Sequence, residues 1–282
     1  MTDKDWPYPF WIAHRGAGTL APENTLAAFR VGLAHGFRMF ECDAQLSADG
    51  VVFFMHDQKL DRTTNGSGDV SGMAWKDIAS LDAGLWHSAG FAGERVPTLA
   101  EVAAFCRSTG ACVNLEIKSV PEFSAGSSLT SSSGFSPDSA SEQEATAARS
   151  IARQAQALWR EQASASNAPA DPTALIPPFL TSFSVAAIRA VQEVAPELPR
   201  GLLLEDLSGD WQFQAQQLAC HALVFDGQLL NPGLVAAVQA MGMRCLAYTV
   251  NDPSDMMALK AAGIDGLITD EMTAPSLMSL SK

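Results

Sequence analysis

The segment 222–271, ALVFDGQLLNPGLVAAVQAMGMRCLAYTVNDPSDMMALKAAGIDGLITDE, decides the fold class because short apolar runs alternate in it with helical patterns. Short apolar runs of this kind are typical of buried strands in a parallel sheet. The strand-like runs are 222–228, 244–251 and 266–271. Residues 232–241 and 253–262 between them have the apolar spacing of helices. Such alternation predicts an α/β fold.

The same alternation extends back to the start of the chain, where further apolar runs are each followed by a helical pattern. The predicted parallel strands are 10–14, 38–43, 112–117, 179–183, 201–205, 222–226, 244–249 and 266–270. Eight βα units within roughly 250 residues predict a (β/α)8 TIM barrel. A doubly wound sheet is the alternative, but no GxGxxG motif follows the first strand.

One interruption follows the second strand, in RMFECDAQLSADGVVFFMHD (38–57). Its second apolar run returns through Asp49-Gly50, a dipeptide typical of hairpin turns. The following residues, 58–97, are rich in glycine, threonine and aspartate and lack sustained periodicity. We therefore predict a small insertion over 44–97.

The rest of the chain fits one domain, 1–282, with two low-complexity stretches. A Ser/Gly-rich stretch at 124–141 predicts a flexible loop, and an Ala/Ser/Pro-rich link covers 164–177. Between them the pattern predicts a long helix over 142–163. Thr98, with Glu101 three residues on, predicts a capped helix over 98–110.

The composition limits the classes of partner. The net charge of −13, from 18 basic and 31 acidic residues, disfavours nucleic acid and anionic membranes as main partners. The apolar runs are too short for a transmembrane segment, and the N-terminus lacks the pattern of a signal peptide. Five cysteines without CxxC spacing indicate buried thiols of a cytoplasmic protein rather than a zinc site. We expect a monomer or homodimer.

Polar side chains collect at the C-terminal ends of the predicted strands, where barrel active sites lie. Glu41 and Asp43 are two residues apart on one strand, so their side chains point to the same side. Glu116 ends the neighbouring strand. Carboxylates this close repel one another unless a cation lies between them, and oxygen ligands suit Mg²⁺ or Ca²⁺. The alternative is that they form structural ion pairs with Arg15 and Lys118.

Spaced motifs in this chain resemble the bacterial glycerophosphodiester phosphodiesterase family. The densest resemblance lies in residues 13–68, and the similarity runs from residue 11 to about 271. The motifs are AHRGAGTLAPENTLAAF, FECDAQLSADGVVFFMHDQKLDRTTNGSG, NLEIK, YTVND and GLITDE. This string of motifs is far more specific than any one of them alone.

The resemblance implies a barrel of the phospholipase C-like phosphodiesterase type with an insertion after strand 2. It implies hydrolysis of small-molecule glycerophosphodiesters to sn-glycerol 3-phosphate and an alcohol, with one divalent cation, Mg²⁺ or Ca²⁺. By residue-to-residue match, it implies that the metal ligands are Glu41, Asp43 and Glu116. It implies that the acid/base pair is His14 and His56. It also implies that the cations that bind the phosphate are Arg15 and Lys118.

Other interpretations stay open at this stage. A lysophospholipase D-like or phosphatidylinositol-type enzyme on the same barrel would need apolar surface, and residues 58–97 carry only scattered apolar side chains. A glycosidase also uses paired carboxylates but needs no such histidine and arginine set. An inactive binding protein is disfavoured because every expected group is present. Phe183, Trp211 and Tyr248 are candidates for the pocket wall or for ordinary core.

Overall fold

Eight parallel strands close into a barrel in the computed structural model, which describes residues 6–118, 137–165 and 175–274. The barrel strands are β1 (Trp11–Ala13), β2 (Met39–Leu46), β4 (Cys112–Ile117), β5 (Phe179–Ser182), β6 (Arg200–Leu204), β7 (Ala222–Asp226), β8 (Arg244–Tyr248) and β9 (Gly266–Thr269). Each one coincides with a predicted strand to within a few residues. The (β/α)8 prediction is therefore confirmed.

Closure of the barrel depends on β1, which pairs in parallel with both β2 and β9. Ile12 is the register partner of Met39 on one side and of Ile268 on the other. The remaining strands follow in chain order around the ring. All C-terminal strand ends consequently open at one mouth, which is where the predicted site residues were expected to meet.

The predicted hairpin is present beside β2. Strand β2 continues past the barrel to Leu46, and β3 (Val52–Phe54) pairs with it in antiparallel register. Gly50 in the turn has φ of 86°, a conformation that glycine adopts without strain. The insertion that follows contains a short helix, α2 (Trp75–Ile78), and its own apolar cluster around Phe53, packed apart from the barrel core.

The helices surround the barrel on the outside. They are α1 (Leu26–Ala34), α3 (Leu99–Thr109), α4 (Pro137–Ala165), α5 (Val185–Val194), α6 (Trp211–Gln217), α7 (Pro232–Ala240) and α8 (Pro253–Ala261). The capping box of Thr98 and Glu101 is confirmed at the start of α3. Among the described residues, no helix combines the length and apolar character that crossing a membrane requires.

The start of α4 corrects the predicted loop boundary. Residues 137–141, expected at the end of the flexible loop, form the first turn of α4, whereas the prediction began that helix at 142. Proline is favoured in a first helical turn, and Pro137 occupies that place. The rest of the predicted loop, 124–136, and residues 166–174 of the predicted link lie outside the described residues.

The interior of the barrel is closed by apolar side chains toward its N-terminal end. Ile12, Phe179, Leu246 and Ile268 belong to this layer, and each is at most 2% exposed. Apolar packing below leaves the polar side chains of the upper strand residues to face the mouth. Buried apolar side chains therefore form the bottom of the candidate site.

Candidate active site

All seven predicted site residues lie at the same mouth of the barrel. His14 and Arg15 follow β1 directly, and His56 comes two residues after β3. The three carboxylates project from β2 and β4, and Lys118 is the first residue after β4. The structure thus brings residues from distant parts of the sequence to one rim, as the strand-end argument predicted.

The three carboxylates converge because of strand register. Asp43 and Glu116 are direct register partners on β2 and β4, and Glu41 lies two residues before Asp43 on the same side. One oxygen from each of the three lies within 4.8 Å of the others. Burial and the charge of Asp43 raise the pKa of Glu41 to about 8, and the same two causes raise the pKa of Glu116.

Asp43 is held in the ionised form by its neighbours. Burial alone would raise its pKa, but the charges of Lys118 and Arg15 outweigh that effect and lower it. Lys118 Nζ lies 3.3 Å from Asp43 Oδ1, and Arg15 Nε lies 3.6 Å from Asp43 Oδ2. The Asn24 amide adds a 2.7 Å hydrogen bond to Asp43 Oδ2.

Asn24 faces β2 although it lies directly before the start of α1. The cap of α1 is Thr25, whose side chain accepts a hydrogen bond from Ala28 N. Asn24 instead has φ of 59°, and its side chain also accepts a hydrogen bond from Asp43 N at 3.0 Å. Its left-handed backbone turns the amide away from the helix end and toward β2.

The residues present fit a hard divalent cation. The ion pairs that we considered as the alternative do occur, since Lys118 Nζ also lies 2.7 Å from Glu116 Oε1. They leave Glu41 incompletely compensated: its Oε1 is buried without a hydrogen-bond partner among the described residues. Its Oε2 accepts a hydrogen bond from the Arg15 backbone N–H at 3.1 Å and lies 3.9 Å from His14 Nε2. A buried carboxyl oxygen without a hydrogen-bond partner suits a metal ligand.

Arg15 is oriented by an uncommon backbone conformation. Its φ of 49° lies in the left-handed region, which non-glycine residues seldom adopt. In this conformation the backbone N–H points at Glu41 while the guanidinium reaches Glu23 at 3.0 Å and approaches Asp43. One residue therefore contacts two of the three predicted metal ligands.

His14 is held by an aspartate that the sequence analysis did not assign. His14 Nδ1 lies 2.7 Å from Asp270 Oδ1, and Asn251 donates a 2.9 Å hydrogen bond to the other oxygen of Asp270. Burial lowers the pKa of His14, but the hydrogen bond to Asp270 and the charge of Glu41 outweigh it, so the pKa is raised. The position of Asp270 directly after the last strand, in GLITDE, was the signal available in the sequence.

His56 has a similar aspartate next to it in the chain. His56 Nδ1 lies 2.7 Å from Asp57 Oδ1, and the Asp57 carboxylate is bound by Arg62. Burial and the charge of Lys118 lower the pKa of His56. The loop itself is fixed to β2, since the Gln45 side chain donates hydrogen bonds to the carbonyls on either side of His56.

The opposite half of the mouth is more open. Phe183 is 40% exposed, and its ring meets that of Tyr248 edge-on, with 5.8 Å between centroids. Asp226 is the register partner of Tyr248 on β7. Trp211, a candidate for the pocket wall, is instead packed against Phe225 behind the barrel and is 7% exposed.

Comparisons with known proteins show what this chain resembles. The model of the Glycerophosphoryl diester phosphodiesterase family matches residues 14–131 and 144–274. A glycerophosphodiester phosphodiesterase of Caldanaerobacter subterraneus subsp. tengcongensis is 31% identical over 263 residues, covering 92% of this chain and 93% of that protein. A putative one from Bacillus subtilis, YhdW, is 28% identical over the same fractions.

Solved structures show the same likeness. A phosphodiesterase of Oleispira antarctica, determined in complex with the product sn-glycerol-3-phosphate, superimposes with a TM-score of 0.77 at 27% identity. The match covers 96% of this chain and 97% of that one. A glycerophosphodiester phosphodiesterase of Agrobacterium tumefaciens gives a TM-score of 0.70 at 26% identity, covering 94% and 97%.

Proposed function

This chain belongs to the glycerophosphoryl diester phosphodiesterase family, and we propose that it hydrolyses glycerophosphodiesters to sn-glycerol 3-phosphate and an alcohol. The product named for the Oleispira antarctica relative supports this substrate class. The observation that carries the proposal is the trio of Glu41, Asp43 and Glu116, which meets Arg15 and Lys118 at one mouth. Anion-binding cations beside a carboxylate metal site suit a phosphate ester.

The three carboxylates would hold one divalent cation, Mg²⁺ or Ca²⁺. When bound, such an ion neutralises negative charge that develops on the phosphate oxygens. Arg15 and Lys118 would bind the phosphate from the same side. Lys118 now shares its ammonium group between Asp43 and Glu116, so we expect it to turn partly toward the phosphate once an ion takes over those oxygens.

The two histidines would act as the general base and the general acid of the reaction. Each has its Nδ1 against an aspartate, which leaves Nε2 as the nitrogen available for proton transfer. In the mechanism that the family resemblance implies, one takes the proton of the neighbouring glycerol hydroxyl as that oxygen attacks phosphorus. The other protonates the departing alkoxide, and water then opens the cyclic phosphate. Intramolecular attack gains from proximity.

We propose that the protein works in the cytoplasm. The support is that all five cysteines are buried free thiols, which fits a reducing compartment.

A lysophospholipase D-like or phosphatidylinositol-type activity is the second candidate. It is favoured by three exposed apolar residues in the loop after β1 and in the insertion: Leu20, Leu85 and Trp86, which are 46%, 52% and 39% exposed. An acyl chain could lie against such side chains.

Activity on glycerophosphocholine, with and without chelator, tests the proposal. We expect release of sn-glycerol 3-phosphate, loss of at least about 10²-fold in rate with EDTA, and recovery on adding Mg²⁺ or Ca²⁺. A lysophospholipid assayed in parallel separates the two candidates. Full activity in EDTA would contradict the metal site, and turnover of the lysophospholipid alone would favour the second candidate.

A further inference from the structure

A chain of short ion pairs runs along the mouth from His56 to Arg15. Asp57 binds His56 Nδ1 at 2.7 Å, Arg62 joins Asp57 to Glu23, and Glu23 accepts a hydrogen bond from Arg15 at 3.0 Å. We propose that Arg62 is a positioning residue, which fixes His56 through Asp57 and Arg15 through Glu23. The proposal rests on the roles proposed above for His56 and Arg15.

The guanidinium of Arg62 binds two carboxylates, each through two hydrogen bonds. Its Nε and one terminal nitrogen donate to the two oxygens of Asp57 at 2.6 and 2.9 Å. Its two terminal nitrogens donate to the two oxygens of Glu23 at 2.6 and 2.8 Å. Two bidentate pairs fix both carboxylates in orientation as well as in distance, which a single ammonium group cannot do.

A role in holding the insertion to the barrel explains this network less well. The Arg62 side chain is 44% exposed, and exposed ion pairs contribute little to the free energy of unfolding. The insertion has its own apolar cluster around Phe53. The network is distinguished by its two ends, since one is a predicted proton-transfer group and the other is a predicted phosphate ligand.

The charges around His56 determine what the loss of Arg62 should do. Asp57 faces it from its own loop, Asp43 from β2, and Arg15 and Lys118 from the ends of β1 and β4. Arg62 neutralises part of the Asp57 charge, so its removal should make His56 easier to protonate. Removal of the Asp57 charge itself should do the opposite.

Arg62→Met and Asp57→Asn test the proposal, with Arg30→Met as the matched control. Arg30 pairs with Glu94 of the insertion at 3.4 Å, a surface Arg–Glu contact that ends on no site residue. With only five histidines in the chain, NMR titration of labelled imidazoles in chelator can follow His56. We expect its midpoint to move up by about half a pH unit or more in Arg62→Met and down in Asp57→Asn, and to stay unchanged in the control.

The effect of Arg62 on Arg15 is measured by the affinity of the protein for sn-glycerol 3-phosphate. Without Arg62, the Glu23 carboxylate is left to compete for the Arg15 guanidinium, so calorimetry should show affinity for this anion lowered about 10-fold. For glycerophosphocholine we expect kcat/KM to fall about 10–100-fold in Arg62→Met. Arg62→Lys, which retains the charge and therefore the His56 midpoint, should recover kcat/KM only in part.

Several results would overturn the proposal. An identical His56 midpoint in Arg62→Met and in the Arg30→Met control would do so, as would full recovery of kcat/KM in Arg62→Lys. If Arg62→Met fails to fold, Arg62→Lys decides the matter: kcat/KM below that of the parent protein is expected, and kcat/KM equal to the parent value would overturn the proposal. If the parent protein does not cleave glycerophosphocholine, the proposed function is wrong, while the NMR comparison still decides whether Arg62 controls His56.

Discussion

The two histidines of the mouth meet the same kind of partner in different surroundings. His14 and His56 each place Nδ1 at 2.7 Å from an aspartate oxygen, that of Asp270 and that of Asp57 respectively. Asp270 accepts a hydrogen bond from the neutral amide of Asn251, whereas Asp57 accepts one from the guanidinium of Arg62. The pKa of His14 is nevertheless raised, whereas the pKa of His56 is lowered.

The difference shows that the aspartate contact alone does not set proton affinity. Burial lowers the pKa of both imidazoles. At His14 the carboxylate contact and the nearby charge of Glu41 outweigh burial. At His56 the charges of Lys118 and Arg15 act in the same direction as burial and against the carboxylates. Two similar pairs thereby acquire opposite tendencies, which suits the acid and base roles proposed for them.

The largest expected effect comes from removing either imidazole. His14→Ala and His56→Ala should each lower kcat for glycerophosphocholine by about 10²–10⁴-fold, because each removes a group that moves a proton in the proposed mechanism. Each variant should also lose one limb of the pH–rate profile, and the two should lose different limbs. Steady-state kinetics across pH measure both effects.

The matched control for these variants is His35→Ala, since His35 is exposed at the end of α1 and touches none of the seven site residues. We expect its kcat to stay within about twofold of the parent value. Near-full activity in either His14→Ala or His56→Ala, with an intact circular-dichroism spectrum, would remove that histidine from the proton-transfer scheme.

A second, smaller effect concerns Glu41, whose negative charge, when the carboxyl group is ionised, favours protonation of His14. In Glu41→Gln we expect the titration midpoint of His14 to fall while that of His56 changes little. Loss of one proposed metal ligand should also lower kcat/KM roughly 10²-fold. NMR titration and kinetics provide the two measurements.

The same substitution should stabilise the metal-free protein. The folded pKa of Glu41 is about 8, against an ordinary value of 4.5, so the folded state retains a proton that the unfolded state loses between these values. The free energy of unfolding therefore declines as pH rises from 4.5 to 8. In chelator, the Tm advantage of Glu41→Gln should grow with pH over this window to a few degrees. An advantage independent of pH would contradict the repulsion at the carboxylate trio.

The smallest expected effect concerns the neutral residue behind the His14 pair. Asn251 donates to Asp270 Oδ2 and accepts from Asp270 N at 2.8 Å. Asn251→Ala removes no charge, so we expect kcat to fall less than about 10-fold and the His14 midpoint to move less than that of His56 in Arg62→Met. A larger movement at His14 would show that a neutral amide tunes its imidazole as strongly as a cation does.

The sequence predicted the fold well because its evidence is local. Each barrel strand is a short apolar run, and helices such as α3 carry their own cap at Thr98. The metal-site prediction used a local rule too, since Glu41 and Asp43 share one strand face whatever the barrel does around them. Strand order and the family resemblance then brought Glu116 to them.

Contacts between distant segments were beyond the reach of these rules. Asp270 meets a histidine 256 positions earlier in the chain, and Arg62 meets Glu23 across 39 positions. Apolar periodicity carries no information about such pairs. The first turn of α4 was missed because its serine-rich composition resembles that of a loop. The contact of Asn24 with Asp43 depends on a left-handed backbone conformation, which the sequence motif does not indicate.

The hairpin of β2 and β3 fixes the position of His56. Met55 N donates a hydrogen bond to the Asp43 carbonyl at 2.9 Å, and the Gln45 side chain donates to the carbonyls on both sides of His56. His56 is therefore held from two sides, by the barrel wall through Gln45 and by the insertion through Asp57 and Arg62. We therefore expect the imidazole to keep its place when substrate binds and when product leaves.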